Sequence, residues 1–193
     1  MSNIKKIQKI LKGSLRENVS LRDYNTWKVG GEAEYFYEPS DLEDLKLFLE
    51  LLENTPITFL GNGSNVLIRE GGINGCVICL KNTLNNYFHK NEEYVFEAGL
   101  SCMKIAQITA RENHQGLEFL CGIPGSLGGA LAMNAGCNGE NIWNHVTKVS
   151  LINNSGEIIR KNKNDFIIGY RNTNLEENNF FISAVFKLRK NKL

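Results

Sequence analysis

Residues 118–136, Glu118-Phe119-Leu120-Cys121-Gly122-Ile123-Pro124-Gly125-Ser126-Leu127-Gly128-Gly129-Ala130-Leu131-Ala132-Met133-Asn134-Ala135-Gly136, decide how the remaining sequence is read. Four glycines, a proline and a serine fall within the eight residues from Gly122 to Gly129, and a run of small side chains follows. Glycine lets a backbone approach a ligand closely or take a positive φ without steric cost. Pro124 fixes φ at the start of the turn. Ser126 stands where an N-cap opens a short helix over Leu127 to Met133. A helix N-terminus without bulky side chains in front of it suits an anion, because its free N–H groups and dipole point outward. An ordinary turn packed on a neighbouring helix accounts for this stretch equally well, so the decision rests on a second loop upstream.

That loop is Phe59-Leu60-Gly61-Asn62-Gly63-Ser64-Asn65-Val66-Leu67. A short apolar strand, Ile57 to Leu60, runs straight into glycines and small polar residues. Successive N–H groups in such a turn form a nest for phosphate oxygens, with Ser64 and Asn65 as side-chain donors. The dinucleotide fingerprint G-x-G-x-x-G opening a helix is absent here, since Val66 to Ile68 continues as an expected strand. The phosphate loop G-x-x-x-x-G-K-[ST] is absent from the whole sequence. Two phosphate-competent loops in one small chain suggest a ligand carrying a diphosphate.

Gly61-Asn62-Gly63-Ser64-Asn65, then Gly122-Ile123-Pro124-Gly125-Ser126 with Gly128-Gly129 and Asn134-Ala135-Gly136, then Gly169-Tyr170-Arg171, resemble the UDP-N-acetylenolpyruvoylglucosamine reductases. Asn25-Thr26-Trp27-Lys28-Val29-Gly30-Gly31 is similar to that family's opening motif. The motifs occur in the family's order from about Asn25 onward. The resemblance implies an α+β fold: two packed α+β lobes of the vanillyl-alcohol-oxidase/PCMH-type FAD-binding domain. It implies non-covalent FAD, NADPH as hydride donor, and a UDP-sugar substrate reduced to UDP-N-acetylmuramate for peptidoglycan. The glycine-loop residues named above would hold the cofactor. No clear His or Cys candidate for covalent flavin attachment stands at the glycine loops.

Composition fits an intracellular globular protein. A formal net charge of +1 over 193 residues gives no electrostatic case for nucleic acid or an anionic membrane. Nothing approaches eighteen uninterrupted apolar residues, and Met1-Ser2-Asn3-Ile4-Lys5-Lys6 lacks the pattern of a secretion signal. A cytoplasmic location is expected, with no protein partner evident. Five cysteines, an odd number, argue against a disulfide framework. Cys76 and Cys79 fall on an expected strand, where a spacing of three puts side chains on opposite faces, so no metal site is expected. Cys102, Cys121 and Cys137 lack a His at ligand spacing. His89, His114 and His145 read as surface or loop residues.

In chain order, residues 1–20 are expected to be an N-terminal helical segment, with Ile4, Ile7 and Leu11 on one face before Gly13. A first lobe follows over 21–81. Val19 to Gly31 is irregular and Glu34 to Glu38 a strand. Ser40 and Glu43 form a capping box for a helix through Glu53 that buries Leu42, Leu45, Leu49 and Leu52. Ile57 to Leu60, Val66 to Ile68 and Cys76 to Leu80 complete a βαββ lobe, with Gly71-Gly72 as the turn. The second lobe, 82–190, opens with strand Tyr94 to Ala98 and helix Ser101 to Glu112, which buries Met103, Ile105, Ala106 and Ile108. Val146 to Ile152 and Glu157 to Arg160 form a hairpin around Asn153-Asn154-Ser155-Gly156. Asp165 to Tyr170 leads to Arg171, and Phe180 to Leu188 closes the lobe, leaving an edge at Val185 to Leu188 open to another chain.

Reducing an enolpyruvyl alkene pushes negative charge onto its conjugated carboxylate, so a fixed cation there stabilises the transition state more than the ground state. Arg171 suits this role: permanently charged, planar and able to grip a carboxylate with two hydrogen bonds. By the resemblance Arg171 matches the catalytic arginine and Tyr170 a tyrosine beside the substrate. Outside that motif context, Arg171 reads as a surface arginine in a loop. The resemblance also implies a C-terminal substrate-binding domain with a serine proton donor and a late glutamate, and no residue here matches either, so that domain is expected to be missing. Two other readings stay open: an FAD-holding module without full turnover, and a different flavin oxidoreductase on the same fold.

Overall fold

The computed structural model describes residues 6–52 and 54–191. The described residues separate into two compact units, one within residues 1–83 with 153–157 and one within 84–152 with 158–193.

In the first unit, the helix expected over Ile4, Ile7 and Leu11 lies partly outside the described residues. Within them it is one turn, in which the N–H groups of Ile10 and Leu11 both donate to Ile7 O (2.9 and 3.3 Å). The rest of segment 1–20 departs from the helical expectation, because Ser14–Ser20 is a strand, β1. It pairs antiparallel with β2 (Glu32–Glu38), from Ser14 opposite Glu38 to Ser20 opposite Glu32. Polar residues every second position left β1 without an apolar run to announce it; a well-populated partner strand orders it.

The helix α1 spans Leu42–Leu51 and stops short of the expected Glu53, which is outside the described residues. Its N-cap is Asp41 and not Ser40: the Asp41 carboxylate accepts the Asp44 N–H (2.8 Å). Ser40 instead donates its own N–H to Asp44 (3.0 Å). The buried face is Asp44, Leu45, Phe48 and Leu49, whereas Leu42 is only partly buried. Phe48 lies against Tyr37 of β2, with ring centroids 4.1 Å apart.

Strands β3 (Ile57–Leu60) and β4 (Ile73–Cys79) complete a sheet of order β1-β2-β4-β3, and β4 runs parallel to both neighbours. The strand expected at Val66 to Ile68 does not form; residues 61–72 are one long loop. With no hairpin partner before it, β4 inserts between β2 and β3. Parallel strands buried on both faces read as continuous apolar runs, and Cys76 to Cys79 are all buried. Burial pushes the Cys76 thiol up to about 12 and raises that of Cys79, which makes both poor nucleophiles.

The second unit is built on a five-stranded sheet of order β11-β10-β14-β6-β5. Its strands are β5 (Tyr87–Lys90), β6 (Glu93–Glu97), β10 (Val146–Asn153), β11 (Ile158–Asn162) and β14 (Asn179–Lys187). The hairpin turn at Asn153 to Gly156 forms as expected, with Asn153 Oδ1 accepting the N–H groups of Ser155 and Glu157. The edge expected at Val185 to Leu188 does not exist, since β14 is the central strand. β5, not anticipated from sequence, pairs antiparallel with β6, from Tyr87 opposite Phe96 to Lys90 opposite Glu93.

Helix α2 (Cys102–Arg111) starts on Ser101, whose Oγ accepts the Lys104 N–H (3.3 Å). It buries Cys102, Ile105, Ala106, Ile108 and Thr109, but Met103 faces outward at 54% exposure, against expectation. His114 is no surface residue either. It is buried in the short strand β7 (His114–Gln115), with Nδ1 2.8 Å from the Tyr94 hydroxyl. Around α2, Leu120, Leu127, Leu131, Trp143 and Phe186 close a large apolar core.

Candidate functional site

Helix α3 (Leu127–Ala132) begins at Ser126, as the sequence indicates, yet the Ser126 side chain makes no capping bond and is buried. The amides expected to point outward are already used. Leu127 N–H donates to Leu100 O (2.9 Å) and Gly128 N–H to Ala98 O (2.8 Å). Gly125 O accepts the Cys102 N–H (3.0 Å), which ties the glycine loop to the start of α2. Gly128 is small because a Cβ there would stand 3.2 Å from Ala98 Cβ, a packing requirement internal to the unit. Gly122 differs: an added Cβ would meet nothing within 4 Å. No packing demand among the described residues explains a glycine at that position, so bare backbone is exposed there.

The exit of α3 is equally determined. Asn134 takes φ +40° and stands at C′ of a Schellman motif, in which Asn134 N–H donates to Leu131 O (3.2 Å) and Ala135 N–H to Ala130 O (2.8 Å). Gly136 follows in β8 (Gly136–Cys137), paired with β9 (Glu140–Asn141) through the Asn138-Gly139 turn, where both residues have positive φ. A Cβ on Gly136 would lie 2.1 Å from Glu140 O. Asn134, Ala135 and Gly136 thus have roles inside the unit besides any toward a ligand.

Tyr170 and Arg171 form the turn between β12 (Ile168–Gly169) and β13 (Asn172–Thr173). Arg171 holds φ +54°, a region that non-glycine residues seldom occupy. Its guanidinium donates to Gly136 O (2.7 Å) and lies 5.8 Å from the ring centroid of Tyr170, which is 92% exposed. In the same place Asn134 Nδ2 donates to Gly169 O (2.8 Å). The structure therefore brings Asn134, Gly136, Gly169, Tyr170 and Arg171 together on a cleft of about 660 Å³. Trp143, Asn138, Asn141 and Lys163 also line it, and none of these was picked out by sequence. The Asn138-Gly139 dipeptide carried a hairpin signal that could have been read; Lys163, eight positions from Arg171, carried none.

In the first unit, the loop Gly61-Asn62-Gly63-Ser64-Asn65 is locked to the segment Asn25 to Gly31. Gly63 has φ +66°, and a Cβ on it would strike Tyr24 O at 2.0 Å. Gly63 O accepts the Thr26 N–H (3.0 Å), and Gly31 N–H donates to Arg69 O (2.9 Å). Buried Asn25 spans its own loop by donating to Leu21 O (2.7 Å) and Val29 O (2.8 Å). Sequence placed Asn25 in a motif without seeing that it holds the loop shut. Trp27 and Leu67, 67% and 73% exposed, present apolar surface beside these glycines. Exposed apolar side chains beside a rigid glycine loop fit a flat, partly apolar ligand with a polar tail.

These loops and the two α+β units define a flavin-nucleotide-binding class of protein. Residues 33–162 match the family model described as FAD binding domain, and the chain belongs to that family. The bare backbone at Gly122 and the rigid loop at Gly63 fit that cofactor. Among curated proteins it is 42% identical over 180 residues to a UDP-N-acetylenolpyruvoylglucosamine reductase of Nitrosococcus oceani, covering 92% of this chain and 60% of that protein. A protein of the same name from Legionella pneumophila is 43% identical over 178 residues, covering 91% and 58%. The chain thus spans about 60% of the length of these relatives. The crystal structure of UDP-N-acetylenolpyruvylglucosamine reductase from Thermus caldophilus matches with a TM-score of 0.77 at 28% identity, covering 94% of this chain and 64% of that one. Physcomitrella patens BBE-like 1 shares the fold, with a TM-score of 0.70 at 12% identity, covering 98% of this chain and 45% of that one.

Proposed function

We propose that this chain is the FAD-binding part of a cytoplasmic UDP-N-acetylenolpyruvoylglucosamine reductase, acting in peptidoglycan synthesis with NADPH as reductant. The observation that carries this reading is Arg171, held at φ +54° on the wall of a cleft with its guanidinium fixed to Gly136 O. FAD, when bound, supplies the two-electron redox chemistry. Gly61, Asn62, Gly63, Ser64 and Asn65 in the first unit, with Gly122, Ile123, Pro124, Gly125, Ser126, Gly128 and Gly129 in the second, would hold it non-covalently. Arg171 still has N–H donors beyond the one given to Gly136 O, and these grip the substrate carboxylate. As negative charge builds on that carboxylate, a cation that is already in place stabilises it without reorganisation. Tyr170, exposed at the same turn, lies along the substrate.

The test follows the visible spectrum of the FAD-loaded chain under anaerobic conditions. Bleaching by NADPH and return of colour on adding the enolpyruvyl sugar nucleotide support the reading. Bleaching without return would leave a cofactor-binding part only, the second reading. In Arg171→Lys, FAD affinity stays within about twofold while the return of colour slows by about 10² or more, since one ammonium cannot reproduce the planar fork. Equal rates in the two proteins would remove Arg171 from the chemistry. Flavin that stays with the protein after acid precipitation would contradict non-covalent binding.

A further inference from the structure

We propose that Asn134 is the residue that positions Arg171, a role beyond cofactor contact; the proposal rests on Arg171 being the substrate-gripping cation. Two hydrogen bonds cross between the same two backbone segments in opposite senses. Asn134 Nδ2 donates to Gly169 O at 2.8 Å, and Arg171 Nη2 donates to Gly136 O at 2.7 Å. Each segment thus contributes a side chain that closes on the other's carbonyl, two residues from its own partner. Both side chains spring from left-handed backbone, Asn134 at φ +40° and Arg171 at φ +54°.

These conformations have different origins. The Schellman motif at the end of α3 needs a left-handed residue at C′, and asparagine tolerates that conformation well. Arginine does not, and no helix end requires it at 171. A bulky residue stays left-handed only where its surroundings over-determine it. The bond to Gly169 O fixes the residue two before Arg171, and the bond to Gly136 O fixes its far end. α3 is in turn anchored through Gly128 N–H on Ala98 O and by the buried Leu127 and Leu131. The rigid body of the unit is thereby transmitted through one amide to an otherwise exposed turn. Asn134 Oδ1 is buried and has no hydrogen-bond partner among the described residues, so the side chain's one bond is the donor end that holds the turn.

The experiment compares Asn134→Asp, which keeps size and left-handed tolerance but presents only acceptors to Gly169 O, with Asn134→Gly, which keeps the helix exit and removes the side chain. The first readout needs no activity: the rate of tryptic cleavage after Arg171 in the FAD-loaded chain, followed by mass spectrometry. Both variants should be cut at least about tenfold faster than the wild type. The second readout is the return of colour with the enolpyruvyl sugar nucleotide. It should slow about tenfold in each variant at saturating substrate, and adding either change to Arg171→Lys should slow that protein little further. Unchanged cleavage in both variants overturns the proposal. Loss of FAD binding with unchanged cleavage would leave Asn134 a cofactor contact only. Additive losses with Arg171→Lys overturn it as well. Faster cleavage in a chain whose wild type never regains colour would keep Asn134 as the anchor of the turn and sink the reductase reading instead.

Discussion

Asp44→Asn is the substitution with the largest consequence worked from the structure. The Asp44 carboxylate is 3% exposed and accepts four hydrogen bonds. Oδ1 takes the Lys12 N–H (2.8 Å), and Oδ2 takes the N–H groups of Gly13 (2.8 Å) and Ser40 (3.0 Å) and the Tyr37 hydroxyl (2.6 Å). An amide has one oxygen. Its best orientation keeps the oxygen on the three donors and turns the NH₂ toward the Lys12 N–H. One donor then faces a donor, at about 1–3 kcal/mol, and three charge-assisted bonds become neutral ones, each weaker by about 1 kcal/mol. Because Lys12 and Gly13 are near the surface and can reach water, the sum comes to about 3–5 kcal/mol, a large part of a domain's stability.

The pH dependence gives a second handle on the same residue. Burial pushes the Asp44 carboxyl upward, but hydrogen bonds from the Ser40 N–H, the Tyr37 hydroxyl and the Lys12 and Gly13 N–H groups outweigh it and hold the group below its ordinary value. A depressed folded value means the stability is fully present above the unfolded value of about 3.9 and is lost as pH falls through the folded one. Urea unfolding read by amide exchange in the first unit should therefore show a gap between wild type and Asp44→Asn that is constant from pH 7 to 5. The gap should shrink only below about pH 4. A gap under about 1 kcal/mol at pH 7, or one that widens on acidification, would refute the reasoning.

Gly128→Val should destabilise the second unit by about 1–3 kcal/mol through overpacking on Ala98, whereas Gly122→Val should leave stability within about 0.5 kcal/mol and weaken FAD binding. Urea midpoints beside flavin titrations check this pair, and equal stability losses would cancel the distinction between the two glycines. Trp143→Phe removes an indole N–H that donates to Leu131 O and Thr173 Oγ1, both at 2.9 Å. Thr173 Oγ1 still donates to Leu131 O (2.7 Å), so the expected loss is only about 1–2 kcal/mol in thermal or urea unfolding.

Elements with strong local codes were legible from sequence. Helix α2 announces itself by Ser101 and its apolar spacing, and the β10–β11 hairpin by Asn153 to Gly156. What sequence could not supply was competition for a shared partner. Ser40 looks like a better N-cap than Asp41 until Asp44 takes the Ser40 N–H for a network that also reaches Lys12 and Gly13. β1 is polar at alternate positions and short of apolar signal, and forms because β2 offers it a ladder. β14 looked like an open edge because nothing in its own residues tells that β6 and β10 flank it. His114 has polar sequence neighbours, Asn113 and Gln115, yet it is buried with Nδ1 2.8 Å from the hydroxyl of Tyr94, twenty residues earlier.

The site shows the same limit in a sharper form, because glycine has one letter and several causes. Gly63 and Gly136 are required by carbonyls of their own unit, Tyr24 O and Glu140 O, and Gly128 by Ala98. Such positions would read as glycine-rich motif whether or not a cofactor existed. A glycine with an ordinary φ and open space where its Cβ would go, such as Gly122, has no such cause among the described residues. Asparagine divides in the same way: Asn134 belongs to the motif by its letter, yet its left-handed backbone serves the helix exit and its amide serves the Arg171 turn. The motif is therefore a composite of folding and binding requirements. Mutating it residue by residue should separate into a group that loses stability first and a smaller group that loses ligand first.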